Sequence, residues 1–424
     1  MFTVRYIYSA CIVIETGDCK ILCDPWFTDG IYDGAWYQFP KVDNPIEVIG
    51  DVDFIYISHI HPDHYDPMFL KQYFDVYGEK KIFIPDYPHN NFLQKKGNFD
   101  GFELNPIKDY CFKDTKFTIF PQSNTGHDID SALLVSYKGI GALNLNDCGW
   151  EDKQVNDIRS VINSDNLDLR FMACSYTAAG PYPQTYYDLS DDLIEIADKH
   201  SKLYIQRYLQ FSEEYSVPIE LPFAGAYLLG GKNAVLNKYR AVIDPIEIKH
   251  HAPNAVVLTE GNGEVDLVTL SAKNERFDYY GEDELDERIA EISGAKYDYE
   301  TGIKIPAKDI NWPRIVPTAY KKALAKSMLD YDYYYYFKVL EENNVIYQFA
   351  LNVNSKKPSL TFGSKASHDI NQFSEIIIDY RYLFGLLTTV YHWNNAEVGS
   401  QFSTRRTCEY DAKAQGFLTF FTIG

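Results

Sequence analysis

The sequence predicts an α/β protein whose larger N-terminal region is followed by a smaller α+β domain. Three observations carry this. Short apolar runs alternate with turn residues through the first 150 positions, a strand-rich pattern. The run Asp53-Phe54-Ile55-Tyr56-Ile57-Ser58-His59 is nearly continuous in apolar residues, as in a strand covered on both faces, and a capped helix follows it closely. Around residues 275–312 the composition turns acidic and polar before strand-like and helix-like segments resume.

In chain order, YIYSACIVIETGDCKILCDPW reads as strand, Gly-Asp turn and strand, ending at Asp24-Pro25. After the apolar run, Asp66-Pro67 supplies an N-cap and first-turn pair for a helix PMFLKQYFDVY that stops at Gly78. KIFIP, KFTIFP, SALLVSYKG and IGALNLND are further strands, and residues 189–209 have the pattern of a helix. These divisions predict a larger N-terminal domain over residues 1–272, an acidic connection over 273–312 containing a solvated helix EDELDERIAEI, and a small α+β domain over 313–424. In that last domain DYDYYYYFKVLEE, VIYQFALNV and SLTFGS read as strands, and FSEIIIDYRYLFGLLTTVY as one apolar-faced helix.

Bulk properties exclude some functions. Lys plus Arg number 40 against 60 Asp plus Glu, a net charge of −20, which disfavours a nucleic-acid surface because phosphate neutralisation needs clustered cations. Seven cysteines without a CxxC pair predict reduced thiols in a cytoplasmic protein. No stretch approaches the length of an apolar membrane span, and the N-terminus reads as strands, not a signal peptide.

The chemistry concentrates in ISHIHPDHYD, residues 57–66, with three histidines and two aspartates. Alternate positions on an extended segment share a face, so His59 and His61 can offer nitrogens to one ion. Asp63 and His64 follow in the turn, placed to reach a neighbouring ion or a water. Later, His127 stands after a glycine just before a strand, and Asp147 ends one, where a carboxylate can bridge or cap the metal. Asp24, also at a strand end, is expected to orient a ligand histidine from behind. Such a mixed set suits iron, zinc or manganese.

In this order the segments ILCDPWF, DFIYISHIHPDHYD, GHDID and LNLNDC resemble the metallo-β-lactamase superfamily over roughly residues 1–270. With AAGPYPQTYY and LPFAGAY added, the chain resembles more narrowly the metal-binding domain of the CMP-N-acetylneuraminate hydroxylase family. The resemblance implies an αββα sandwich with metal at one edge. It also implies an enzyme with one or two iron ions, acting as an oxygenase on a small polar molecule such as a sugar or nucleotide-sugar. The broader superfamily implies the alternative, a hydrolase of an ester, lactone or phosphodiester. A third reading is a metal-binding scaffold without catalysis. In either enzyme Asp63 and Asp147 would be the catalytic carboxylates.

The chain departs from the pattern twice. Superfamily hydrolases close a second metal site with a late histidine, and Ala224 stands there, leaving that site to Asp63, His64 and Asp147 unless His250 or His251 substitutes. The paired Cys-x-His and Cys-x-x-His ligands of a Rieske module are missing, so an oxygenase would draw electrons from a separate electron-transfer protein or from the substrate. For the substrate, Tyr176, Tyr182 and Tyr186 in SYTAAGPYPQTYY are candidate pocket residues. Arg405 and Arg406 are candidate clamps for a phosphate or carboxylate.

Overall fold

The first three strands, Phe2–Tyr8, Cys11–Thr16 and Lys20–Cys23, run antiparallel, and each is buried along most of its length. The structure is a computed structural model of the whole chain, and it describes all residues except 88–90, 123–129, 187–191, 328, 364–371 and 408–410. From Lys20–Cys23 the sheet continues in parallel through Phe54–Tyr56, Lys81–Pro85 and Leu104–Ile107, and Gly263–Asp266 and Ser271–Lys273 extend its other edge. A second sheet is ordered Ile219–Phe223, Asp168–Ser175, Ile140–Asn144, Ser131–Tyr137, Thr115–Pro121 and Asp109–Phe112.

Period-two alternation decides what each strand buries. Phe54 and Tyr56 enter a core shared with Phe117, Leu133, Phe171 and Leu221 of the second sheet. Ile55 and Ile57 face the opposite way, onto Phe69, Leu70 and Tyr73 of the helix Pro67–Tyr77. The outer face of the second sheet is covered by Asp152–Ser164 and Leu193–Tyr215. These layers are helix, sheet, sheet, helix: the αββα sandwich. Helix Pro67–Tyr77 starts as expected, with the Asp66 carboxylate accepting from the backbone N–H of Met68 and Phe69.

The tail forms its own five-stranded sheet, ordered Ser359–Phe362, Asn344–Asn352, Tyr334–Glu341, Phe373–Asp379 and Ser403–Arg406, against helices Trp312–Ser327, Tyr380–Leu387 and Ala412–Thr419. One expectation fails here. FSEIIIDYRYLFGLLTTVY is not a single helix: Phe373–Asp379 is a strand parallel to Tyr334–Glu341, and the helix begins only at Tyr380. The consecutive isoleucines Ile376, Ile377 and Ile378 favour an extended, covered strand, and Asp379 then caps the helix by accepting from Arg381 N–H.

Helix Glu282–Ile292 keeps its acidic face in solvent, yet Arg288 turns inward to Asp29 at 2.8 Å and to the backbone carbonyl of Gln38. Tyr297 and Tyr299 follow it into a cluster that also holds Trp26, Tyr32 and Trp36 from the sandwich and Phe337, Tyr382 and Trp393 from the tail. The tail therefore packs on the end of the sandwich that carries the segment after Cys23.

At that junction the Tyr382 hydroxyl donates to Asp33 at 2.7 Å. Burial pushes the Asp33 carboxyl up to about 6, against the favourable bond from Tyr382. A carboxyl held above its unfolded value destabilises the fold once ionised. The penalty is absent below the unfolded pKa and complete above about 6, so stability should fall as pH rises between those limits. Asp33→Asn keeps the acceptor and tolerates the left-handed backbone at φ 62°. It is expected to raise unfolding free energy at pH 7 by about 2–3 kcal/mol and to flatten this pH dependence in urea titrations.

Candidate metal centre

The strand before the motif is shorter than the apolar run suggests, ending at Tyr56. The carboxylate of Asp24, fully buried at the end of Lys20–Cys23, takes the Ser58 backbone N–H at 2.7 Å and the Ser58 hydroxyl at 2.6 Å. That capture turns residues 59–66 out of the sheet. The same carboxylate accepts from His64 Nδ1 at 2.9 Å. Ser58 Oγ, its own proton committed to Asp24, is left to accept from His59 Nδ1 at 2.9 Å. His61 Nε2 donates to Asn394 Oδ1 at 3.0 Å, a contact from the tail.

These bonds place the protons on the outer nitrogens. The inner nitrogens are then His59 Nε2, His61 Nδ1 and His64 Nε2. His59 Nε2 and His61 Nδ1 lie 3.0 Å apart, lone pair against lone pair, which a shared cation relieves. His64 Nε2 and Asp147 Oδ1 are buried without a hydrogen-bond partner, although His64 Nε2 is 3.3 Å from the other Asp147 oxygen. Donor atoms of His59, His64 and Asp147 all lie within 4.8 Å of one another. Two buried, unpartnered polar atoms in such a cluster fit a metal ion.

The electrostatics agree with that fit. Burial opposes charge on His64, but Asp147, Asp63 and Asp24 outweigh it and hold the imidazole well above the ordinary histidine range. His59 moves the other way, driven well below by burial and by its neighbours His64 and His61. Burial works against the Asp147 carboxylate too, yet His64, His61 and Arg207 hold it below its usual value. The centre is a place built for positive charge.

Asp147 is presented by a tight turn in which Asn146 adopts φ 50° and its side-chain amide donates to the Ser131 carbonyl at 3.1 Å. Arg207 of helix Leu193–Tyr215 donates to the Asp147 backbone carbonyl at 3.1 Å. Asp63 accepts from the Tyr32 hydroxyl at 2.5 Å and keeps its other oxygen 3.5 Å from His64 Nε2. His127 lies outside the described residues.

The remaining candidates divide. Arg406 stands over the rings of Tyr186 and Tyr182, at 4.9 and 6.0 Å. Tyr176 is instead packed in the hydrophobic layer beneath the helices of the second sheet, and Arg405 is exposed opposite Glu375. His250 and His251 are exposed on the short helix Ile246–His251, with His250 near Glu247. Ala224 ends the strand Ile219–Phe223 in the left-handed region, φ 58°, and its N–H donates to the Ser9 carbonyl at 3.0 Å.

Sequence reasoning missed Ser58, Tyr32, Asn394 and Asp130. Asp130 lies 3.7 Å from His59 Nδ1, and burial together with the charge of Asp147 pushes its carboxyl up to about 6. Its place in GHDID, at the start of a strand leading away from the site, was the available signal. Asn394 had none, because it reaches the motif from 333 positions away.

Residues 3–141 match the family model described as a beta-lactamase superfamily domain, so the chain carries a metallo-β-lactamase fold domain. Among curated relatives, a putative Rieske 2Fe-2S iron-sulfur protein of Mycolicibacterium smegmatis is 30% identical over 195 residues, covering 43% of this chain and 36% of the relative. The cytidine monophosphate-N-acetylneuraminic acid hydroxylase of Danio rerio is 28% identical over 157 residues, 34% of this chain and 26% of that protein. The aligned stretch thus spans about a third or less of these relatives. A solved metallo hydrolase from Ignicoccus hospitalis aligns over 62% of this chain and 97% of its own, at 13% identity and a TM-score of 0.43. The diiron β-hydroxylase CmlA from Streptomyces venezuelae aligns over 57% and 47%, at 11% identity and 0.37. Relatives and neighbours of this domain include both hydroxylases and hydrolases.

His61→Ala removes one inner nitrogen and the bond to Asn394 together. Elemental analysis of the purified variant is expected to show at least one metal equivalent fewer than wild type. Ser58→Ala should weaken binding about 10-fold or more, since it unlocks His59 without removing a ligand.

Proposed function

We propose that this chain is a metal-dependent oxygenase that hydroxylates a small polar, sugar-like molecule. In this reading His59, His61 and His127, with Asp147, hold iron, and Asp63 and His64 face a second position that Ala224 leaves short of a ligand. The single observation that carries the reading is Ala224, a methyl group at the strand end where superfamily hydrolases are expected to place an imidazole. The hydroxylase relatives support it, and His250 and His251 are exposed on a separate helix.

Bound in this set, iron supplies redox chemistry toward dioxygen, whereas zinc or manganese would supply chiefly Lewis acidity toward water. Asp63, oriented by the Tyr32 hydroxyl, is positioned to hold a water or accept a proton beside His64. Asp24 and Asn394 keep the imidazoles in fixed orientations, and Tyr32 on one side closes the centre with an aromatic wall against Trp36. Hydroxylation inserts one oxygen atom into a C–H bond and releases the other as water, consuming two electrons and two protons. A separate electron-transfer protein would deliver the electrons, a reading supported by the Rieske iron-sulfur name of the mycobacterial relative.

The substrate region is proposed around Tyr182, Tyr186 and Arg406, where a guanidinium and two rings lie together. Among the described residues no helix is long and apolar enough to cross a membrane. We place the enzyme in the cytoplasm on its cysteine usage.

Iron-loaded protein given substrate and reductant is expected to consume dioxygen in step with product, and label from oxygen gas should enter the new hydroxyl. The zinc form should be inactive, and Ala224→His should raise zinc stoichiometry toward two. Anaerobic turnover by the zinc form, with oxygen from water in the product, would make the chain a hydrolase.

A further inference from the structure

The tail meets the motif directly through Asn394 and meets the Tyr32-Asp33 segment, which supports the motif, through Gln401 and Gly399. Asn394 Oδ1 accepts from His61 Nε2 at 3.0 Å. Gln401 donates to the backbone carbonyls of Tyr32 and Asp33, at 2.8 and 3.2 Å. Gly399 fits against Tyr32 so closely that a β-carbon there would stand 2.9 Å from the Tyr32 β-carbon. Tyr32 in turn donates to Asp63. Thus one donor, His61, is held by the tail directly, and a second, Asp63, through a residue the tail grips.

Asn394 is itself firmly placed. It sits in the helix Trp393–Val398, whose first residue is buried and donates its indole N–H to the Phe421 carbonyl at 3.0 Å. The Asn394 N–H is taken by His392 Nδ1, fixing the helix start. Among the described residues of the sandwich, the His61 ring meets His59 at 3.0 Å and Tyr32 at a centroid distance of 6.4 Å, and neither contact is an acceptor on Nε2. An imidazole without an acceptor on Nε2 distributes its proton between both nitrogens, and a proton on Nδ1 blocks the one facing His59.

We infer that Asn394 is a positioning residue of the metal centre: by accepting the Nε2 proton of His61 it keeps Nδ1 bare for the ion, so the tail completes the site. This rests on the reading that the histidines hold a metal, but not on which reaction follows. The tail is then part of the ligand-orienting shell, and its docking and metal binding are linked. Any weakening of the contact lowers metal affinity, and an ion bound to His61 Nδ1 strengthens the bond from Nε2 to Asn394.

The test uses full-length protein and zinc alone. Dissociation constants are measured by competition with a chromophoric chelator for wild type, Asn394→Ala, Asn394→Leu and Asn394→Asp. Circular dichroism and melting in the metal-free state establish that each variant is folded. Asn394→Ala and Asn394→Leu are expected to bind about 10- to 100-fold more weakly. Asn394→Asp, which keeps an acceptor in place, should remain within a few-fold of wild type. Cobalt-loaded samples should show an altered visible spectrum in Ala and Leu and a near-native one in Asp, a difference that loss of packing alone would not produce. Equal affinity in all four proteins overturns the inference, as does an Asp variant as weak as Leu. A wild-type chain that binds no zinc overturns the metal centre itself and this role with it.

Discussion

The carboxylate of Asp24 is the constraint on which the rest of the site depends. Buried at a strand end in a left-handed backbone, φ 43°, it accepts from Ser58 N–H, Ser58 Oγ and His64 Nδ1. Those bonds end the neighbouring strand, start the motif loop and assign the protons of two imidazoles at once. Burial raises the carboxyl's pKa, and the imidazole of His64 with the two Ser58 donors pulls it back. Removing either partner would strand a charge in a dry interior, at a cost of several kcal/mol. An ion held on the far side of His64 would supply compensating positive charge through the ring.

The second control comes from the other end of the chain. Asp66 joins the motif to residues 27 and 28 by accepting from both backbone N–H groups, while capping its own helix. That fixes the segment after Cys23, and the tail then closes on it through Asp33, Tyr32 and the tilted rings of Tyr32 and Trp36. The aromatic cluster running from Trp26 to Trp393 makes one hydrophobic body of residues more than 350 positions apart. The placement of the candidate ligand side chains is therefore set by three layers: the sandwich strands, the segment 24–37 and the tail.

How much of this was legible in the sequence follows from the range of the interactions. The histidine motif, its position after a buried strand and the Asp66 cap depend on local spacing, and local spacing can be read, whereas the two-sheet sandwich was reached through the family resemblance. The role of Asp24 was readable only through its place at a strand end. By contrast, FSEIIID was misread as helical because its burial on both faces removes the alternation that marks a strand. Tyr32 and Asn394 were invisible for a different reason: each acts through a partner brought near by tertiary packing, 31 and 333 residues away. The acidic helix Glu282–Ile292 shows the same limit, since its charge pattern describes the solvated face while Arg288 on the other face meets Asp29.

The central claim is that hydrogen bonds from behind decide which nitrogen each histidine offers. Nuclear magnetic resonance of zinc-loaded protein labelled at the histidine nitrogens reads this directly, because protonated and metal-bound ring nitrogens have distinct shifts. The account predicts that His59 and His64 carry their protons on Nδ1 and bind through Nε2, while His61 carries its proton on Nε2 and binds through Nδ1. A zinc complex in which His61 binds through Nε2, or in which His59 or His64 binds through Nδ1, would contradict it.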